Sequence, residues 1–342
     1  MHELSCKQGR PLANSNIVTE RDLGDWIMNE KKIVIALGGN ALQSGDGPAT
    51  AEAQLEVVRK TCEHIAEISG MGYELAVVHG NGPQVGRIVM ASEAAGNVTP
   101  TMPFDVCGAM SQGYIGYHIQ QCLKYALNKC NRNIPVVTVA TQMIVDGKDP
   151  AFEHPTKPIG PFYTEEKARA LEAEKGYIMK EDSGRGYRRV VASPKPQRIV
   201  EIEAVRQLWD RSIVITCGGG GIPVVENPDG TLEGVAAVID KDFAAELLAE
   251  KVDADILMIL TEVEKVAVDF KKPNQKNLSG MTLAEAARYA EEGQFAAGSM
   301  LPKVEAAMKF VRTYPDKRAI ITSLDKAVEA LEGKTGTVIT FS

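Results

Sequence analysis

Residues 33–40 read IVIALGGN, an unbroken apolar run that ends in two glycines and an asparagine. Apolar residues in succession, without polar alternation, ask for a strand buried on both faces. The pattern returns as LAVVHGNG at 75–82 and IVITCGGGG at 213–221. Strands of this kind, each running into bare backbone, imply an open and mostly parallel sheet whose glycine turns gather at one edge. In such sheets ligands sit beyond the carboxyl ends of the strands. A glycine there lets a ligand approach the main chain, whose free N–H groups receive anionic oxygens. A single GG pair is equally an ordinary tight turn; three such turns, one of them four glycines long, favour an anion site.

Outward from these runs, strand-like and helix-like segments alternate. Strands are predicted at 32–37, 74–79, 134–145, 212–217, 255–260, 318–322 and 336–341. Helices are predicted at 51–69, 83–95, 105–129, 201–210, 241–251, 302–313 and 323–332. That alternation predicts an α/β fold with helices on both faces of the sheet. Residues 146–196 break the rhythm, opening DGKDPAFEHPTKPIGPFY and closing EDSGRGYRRVVASPKPQ, dense in proline, glycine and charge. They read as a lid-like subdomain projecting from a single domain that spans 31–342. Residues 1–30 read as an appended N-terminal extension of unassigned role.

The bulk composition removes several alternatives. Of 342 residues, 44% are hydrophobic and 24% charged, as in a soluble globular protein. A net charge of −7 argues against nonspecific nucleic-acid binding, which rests on a positive field. The uncharged run 106–123 is interrupted by glycine, glutamine, serine and histidine, so no membrane span is expected, and residues 1–30 lack the apolar core of a secretory signal. Six cysteines without a CxxC pair predict reduced thiols and a cytoplasmic home. No GxGxxG follows a strand, and the GKT at 333–335 is preceded by Val328 where a phosphate-binding P-loop needs glycine, so neither nucleotide fingerprint applies.

Candidate ligand groups cluster at the strand ends: Gly38, Gly39 and Asn40; Gly80 and Asn81; and Gly218, Gly219, Gly220 and Gly221. The asparagine amides donate and accept hydrogen bonds, or serve as turn residues. Two lysines stand where a helix disfavours them. VIDKDFAAELLAEKV (238–252) reads as a helix capped by Asp240 with Lys241 in its first turn, and GSMLPKVEAAMKFV (298–311) as one with Lys303 in its first turn. Cations there oppose the helix dipole, and a bound anion reverses the sign. Either Asp240 and Asp242 balance Lys241 while Lys303 reaches solvent, or the two lysines clamp phosphate with Asp242 orienting them. Beside the glycine turns, the clamp is the reading adopted, and it suits phosphoryl transfer, which needs charge stabilisation and in-line positioning. Cys217 is either a thiol activated near a helix start or a small residue ending a strand.

The words IVIALGGNAL, VVHGNGPQVG, MPFDVCGAMSQGYIGYHIQ, PTKPIGPFY, EDSGRGYRRVVASPKP, AVIDKDFAAELLA and FAAGSMLPKVEAA together resemble the carbamate kinases, a branch of the amino acid kinase superfamily. The resemblance runs from about residue 31 to the C-terminus. It implies a three-layer αβα sandwich, a homodimer, and reversible phosphoryl transfer between ATP and carbamate, giving ADP and carbamoyl phosphate. It implies that Gly38, Gly39, Asn40, Gly80 and Asn81 hold carbamate and the transferring group, and that Lys157 reaches toward carbamate. Lys241 and Lys303 then match the phosphate lysines, Asp242 the organising aspartate, and Gly218, Gly219 and Gly220 a loop beside the nucleotide, with 260–268 near adenine. Mg²⁺ is expected with the nucleotide; no carboxylate pair identifies itself as a metal ligand. The resemblance further implies a role in arginine catabolism, run toward ATP. The rival readings are another amino acid kinase, a non-catalytic nucleotide-binding protein on the same fold, and a dinucleotide-dependent oxidoreductase.

Overall fold

Eight strands form the central sheet: β1 (Lys32–Leu37), β2 (Glu74–His79), β3 (Val136–Thr138), β4 (Ile213–Ile215), β5 (Ile256–Thr261), β6 (Gly280–Thr282), β7 (Arg318–Ser323) and β8 (Thr337–Thr340). The computed structural model describes residues 32–44, 47–182 and 184–342, so the predicted extension 1–30 lies outside the described residues. The strand order is β6-β8-β7-β5-β1-β2-β4-β3. Every pairing in it is parallel except β7 with β8.

β1 shows why its sequence is apolar throughout. Ile33 to Leu37 are all fully buried. Ile33, Ile35 and Leu37 enter one core, and Val34 and Ala36 enter the other. The first core is covered by α1 (Ala51–Gly70), through Val58, Cys62 and Ile65, and by part of a long helix that supplies Ile115, Ile119 and Leu123. That helix is α3 (Phe104–Lys129), reached through α2 (Gly82–Ala94). After α4 (Glu165–Lys175), the second core is covered by α5 (Ile202–Trp209), α6 (Lys241–Lys251), α7 (Leu283–Glu291) and α8 (Met300–Thr313), with Trp209, Leu248, Ala286 and Phe310 turned inward. The short α9 (Ala327–Leu331) returns to the first core. The result is the three-layer αβα sandwich expected of a doubly covered parallel sheet.

Two predicted segments divide differently. The run 134–145 is two strands in two sheets: β3 belongs to the central sheet, while Gln142–Val145 joins a four-stranded sheet with Leu232–Gly234, Ile222–Glu226 and Pro196–Ile199. The ladder changes sheets between them. Val139 N–H still reaches Ile215 O of β4 at 2.9 Å, but Thr141 N–H goes to the Gln112 side chain at 2.9 Å while Thr141 O takes Ile222 N–H of the second sheet at 2.8 Å. The stretch 323–332 is a 3-10 turn at Leu324–Lys326 followed by α9. α7 was not foreseen, although its N-terminus carries a capping box, with the Thr282 hydroxyl on Glu285 N–H and the Glu285 carboxylate on Thr282 N–H.

Within 146–196 lies a separate three-stranded antiparallel sheet, with Tyr187–Val191 between Lys157–Tyr163 and Ile178–Glu181. α4 packs on it through Ala168, Leu171 and Met179. The arginines of the EDSGRGYRR word make ion pairs here, Arg188 with Asp182 at 3.2 Å and Arg189 with Glu93 at 3.4 Å. No described helix is long and apolar enough to cross a membrane. Cys62, Cys107, Cys122 and Cys217 are free thiols, but Cys130 is disulfide-bonded, against the expectation of a fully reduced set.

α3 and β3 meet without room to spare. A Cβ on Gly116 would stand 2.3 Å from Thr138 Cγ2 and 2.9 Å from its Oγ1. Gly116→Ala is therefore expected to cost about 1–3 kcal/mol in the denaturation midpoint analysis, and a second change, Thr138→Ser, to recover part of the loss by removing the clashing methyl.

Candidate active site

The sheet delivers its glycine turns to one edge. β1, β2 and β4 are parallel and end together, and the ladder runs past their ends through Gly80 N–H to Leu37 O at 3.1 Å and Thr216 N–H to Val77 O at 3.0 Å. Beyond these ends lies a cavity of about 180 Å³ lined by Gly39, Gly80, Asn81 and Gly219 from the turns. Lys157, Asp240, Lys241, Asp242, Ser299 and Lys303 supply the charged and hydroxyl groups of the wall. Three helices start there: α2 behind its N-cap Asn81, α6 behind Asp240, and α8 behind Ser299. Each directs its positive end at the same space, where an anion is favoured.

The charged side chains are tied to one another. Asp242, buried, accepts from Lys241 through one carboxylate oxygen and from Lys303 at 2.9 Å through the other. Asp240 accepts from Asp242 N–H at 2.9 Å, capping α6, and from Lys157 Nζ at 2.6 Å across from the three-stranded sheet. Three ammonium groups thus face two carboxylates, leaving the cavity with positive charge in excess. Burial works against ionising Asp242, yet Lys241 and Lys303 hold its carboxyl below the usual carboxylate range. Burial likewise opposes Asp240, which Lys157 and Lys241 pull well below that range. The two lysines on Asp242 move oppositely. Burial lowers Lys241, with a contribution from the neighbouring Lys303 charge, whereas Lys303 rises because Asp242 outweighs its own burial.

A second layer shapes the glycine turns. Asn81 donates through Nδ2 to Ser111 Oγ at 2.8 Å, and its amide lies under Gly219, where an added Cβ would meet Nδ2 at 2.1 Å. Gln112 donates to Gly218 O at 2.9 Å. The Cys217 N–H is held by Thr141 Oγ1 at 3.0 Å. His79 is buried beneath the same turns, its Nδ1 2.9 Å from Gly80 O, and burial lowers its pKa to about 4. Cys217 is fully buried two residues past β4, at φ 50° before the glycine turn, and desolvation pushes its thiol up to about 12, so it is a small buried residue of the turn, neither the strand end expected nor a nucleophile.

The structure therefore brings Gly39, Gly80, Asn81, Lys157, Gly219, Lys241, Asp242 and Lys303 around one cavity. It does not bring Gly38, Asn40, Gly218 or Gly220 into that lining. Asn40 is exposed, and Gly218 and Gly220 are buried, packed on His79 and on Ile239. Sequence reading missed Asp240 as the partner of Lys157, and it missed Ser111 and Gln112. Asp240 lay in plain view as a cap, but nothing local to α3 announces that its serine and glutamine reach turns more than a hundred positions away in the case of Gly218.

The amino acid kinase family model matches residues 31–323. A carbamate kinase of Clostridium perfringens is 58% identical over 312 residues, covering 90% of this chain and 99% of that protein. One from Pyrococcus horikoshii is 53% identical, covering 91% and 99%. The solved carbamate kinase of Giardia lamblia bound to AMP-PNP superposes with a TM-score of 0.83 at 44% identity, covering 91% of this chain and 99% of that one. The chain belongs to the amino acid kinase family, within its carbamate kinase group. Solved aspartate kinase from Synechocystis, 16% identical with a TM-score of 0.51, shares the fold alone.

In an enzyme of this family, the glycine turns have two testable dependences. Gly219 has φ of 65° and no space for a side chain, so Gly219→Ala should displace Asn81 and lower turnover by roughly a hundredfold, the cost of an ångström-scale misplacement. His79, depressed from the ordinary histidine value to about 4, binds a proton more readily when unfolded. The stability it contributes is intact above its unfolded pKa and is lost as pH falls from there toward about 4. His79→Gln should flatten that part of the acid limb in melting temperature against pH.

Proposed function

We propose that the cavity transfers a phosphoryl group reversibly between ATP and carbamate, giving ADP and carbamoyl phosphate. The observation that supports it most is the convergence of three helix N-termini and three lysines on a space of about 180 Å³. A carboxylate oxygen of carbamate attacks the terminal phosphorus, the bond from that phosphorus to the ADP oxygen breaks, and no electron leaves or enters the pair. Lys241 and Lys303 would stabilise the charge spread over the transferring oxygens, and Asp242 would hold both in place. Lys157 would face carbamate, with Gly39 offering a backbone N–H group, Gly80 leaving room for close approach and Asn81 holding its turn. Carbamate brings no side chain, and apart from these groups, Asp240 and Ser299 the wall holds only small or apolar residues such as Pro83, Val238 and Ile239. An acceptor with a second carboxylate would need a further cation.

The same reading includes Mg²⁺, carried by the nucleotide. Both oxygens of Asp242 and both of Asp240 already have donors, and among the described residues no cluster of three acidic, histidine or cysteine groups is available as a cage. The residues fit an ion held through phosphate oxygens and water, neutralising phosphate charge. Residues 260–268 would border adenine, and Gly218 and Gly220 would shape the nucleotide loop from behind. The projecting subdomain would span 146–196 of a single domain.

A homodimer is part of the proposal. α3 and the β3 edge of the sheet line a groove of about 760 Å³ with Ala109, Gly113, Tyr117 and Val136, and Tyr117 is 58% exposed. Covering that groove with a second copy would remove both an exposed aromatic and an open sheet edge. The cytoplasm is the proposed compartment, supported by four free thiols, with Cys130 as the exception. Carbamoyl phosphate is the energy-rich partner, which favours a cellular direction toward ATP, as in arginine breakdown.

Mixing the protein with carbamoyl phosphate and MgADP and reading ATP by luciferase tests the reaction. ATP formation should fall roughly a hundredfold or more in Lys241→Ala, in line with loss of one charge-stabilising donor. Asp240→Asn should lower kcat less than Lys241→Ala while leaving nucleotide affinity near the wild-type value. Absence of ATP from the wild-type protein, with MgADP still bound, would sink the acceptor assignment.

A further inference from the structure

α2 carries the anion cavity at one end and a second polar centre at the other. Its N-cap Asn81 and first residues Gly82 and Pro83 line the cavity, while Gly86, Val89, Met90 and Glu93 follow along one face. That face meets the three-stranded sheet. A Cβ on Gly86 would stand 2.1 Å from Gly160 N, so the two backbones touch, and Val85 and Val89 share a cluster with Ile159 and Val191. Tyr163 hydroxyl lies 3.3 Å from Met90 sulfur. Past this contact, the Glu93 carboxylate accepts from the Tyr177 hydroxyl, from Lys175 Nζ at 2.9 Å and from Arg189 Nη1 at 3.4 Å. Arg189 also lies over the Tyr177 ring at 3.8 Å. All three donors come from the segment 157–191, and none of them lines the cavity.

The register connects this centre to the cavity. Arg189 pairs with Ile159, and Val191, two positions on, pairs with Lys157. Lys157 opens its strand and reaches 2.6 Å to Asp240 at the cavity wall. We propose that Glu93 is a positioning residue: by gathering Tyr177, Lys175 and Arg189 onto α2, it sets the small sheet where Lys157 faces the reacting anion. α2 touches the sheet at Gly160, next to Ile159, so a change at Glu93 reaches Lys157 through that contact and through the Arg189–Ile159 and Val191–Lys157 pairs. Glu93 is three-quarters shielded, with 26% of its side chain exposed, so its three partners compete with water on favourable terms.

The assignment rests on the carbamate reading for its kinetic test but not for its structural one. Glu93→Gln should lower kcat/KM for carbamoyl phosphate roughly tenfold, since small misplacements of a substrate-positioning group are costly. In a Lys157→Ala background the same change should cost less than about twofold, because residues acting through one another are not additive. Tyr177→Phe, which removes one donor and no charge, should show the same pattern with a smaller loss. Amide exchange across 157–163 and 187–191 should rise in Glu93→Gln. Equal losses in both backgrounds, or unchanged exchange, would overturn the proposal. If the wild-type protein makes no ATP from carbamoyl phosphate, the kinetic reading falls with the acceptor assignment, while increased exchange would still uphold the latch and unchanged exchange would still refute it.

Discussion

One buried carboxylate organises the cavity at the strand ends of this molecule. Asp242 takes Lys241 on one oxygen and Lys303 on the other, and those lysines open two different helices, α6 and α8. Two ammonium groups at two positive helix ends would repel each other in a space with little water. Breaking a buried pair by removing one partner costs about 3–5 kcal/mol, so the aspartate holds apart charges that would otherwise drive the helices away from the cavity. It leaves the outward hydrogens of both lysines for a ligand. In the proposed reaction a phosphoryl group would meet positive charge already in place, which lowers the reorganisation needed at the moment of transfer.

The neutral side of the cavity depends on α3. Its length lets a single helix serve three duties through neighbouring turns. Ser111 holds Asn81, Gln112 holds Gly218 and Thr141, and Gly116 lets β3 approach. The same helix borders the Tyr117 groove proposed as the contact with a second copy, and Gln112 lines that groove as well. The helix that shapes the glycine turns is therefore the same one that an assembly partner would press upon.

Much of this was legible along the chain. Continuous apolar runs announce strands covered on two faces, because a strand with helices on both sides has no position for a polar residue. Asp240 as a cap, Pro302 near the start of α8 and the boundaries of α1, α2, α3 and α6 follow from local rules of helix entry and periodicity. The break between β3 and Gln142–Val145 was hidden, since the residue that takes Thr141 N–H, Gln112, belongs to another element. Asn40 and Asn81 look alike beside their glycines, yet one is exposed and the other is clasped beneath Gly219. Their difference comes from which helix passes behind each turn.

By itself, the sequence determined the α/β class, the glycine turns at strand ends, the misplaced lysines of two helices and, through its motif words, the family. These are properties of residues close together in the chain, where backbone conformation and helix polarity do the selecting. Only the tertiary structure decided that Lys241 and Lys303 share one carboxylate, that Lys157 crosses from another sheet to Asp240, and which glycines line the cavity rather than support it. Those outcomes depend on parallel strands bringing distant turns to one edge, and no local preference encodes a distance between residues that far apart.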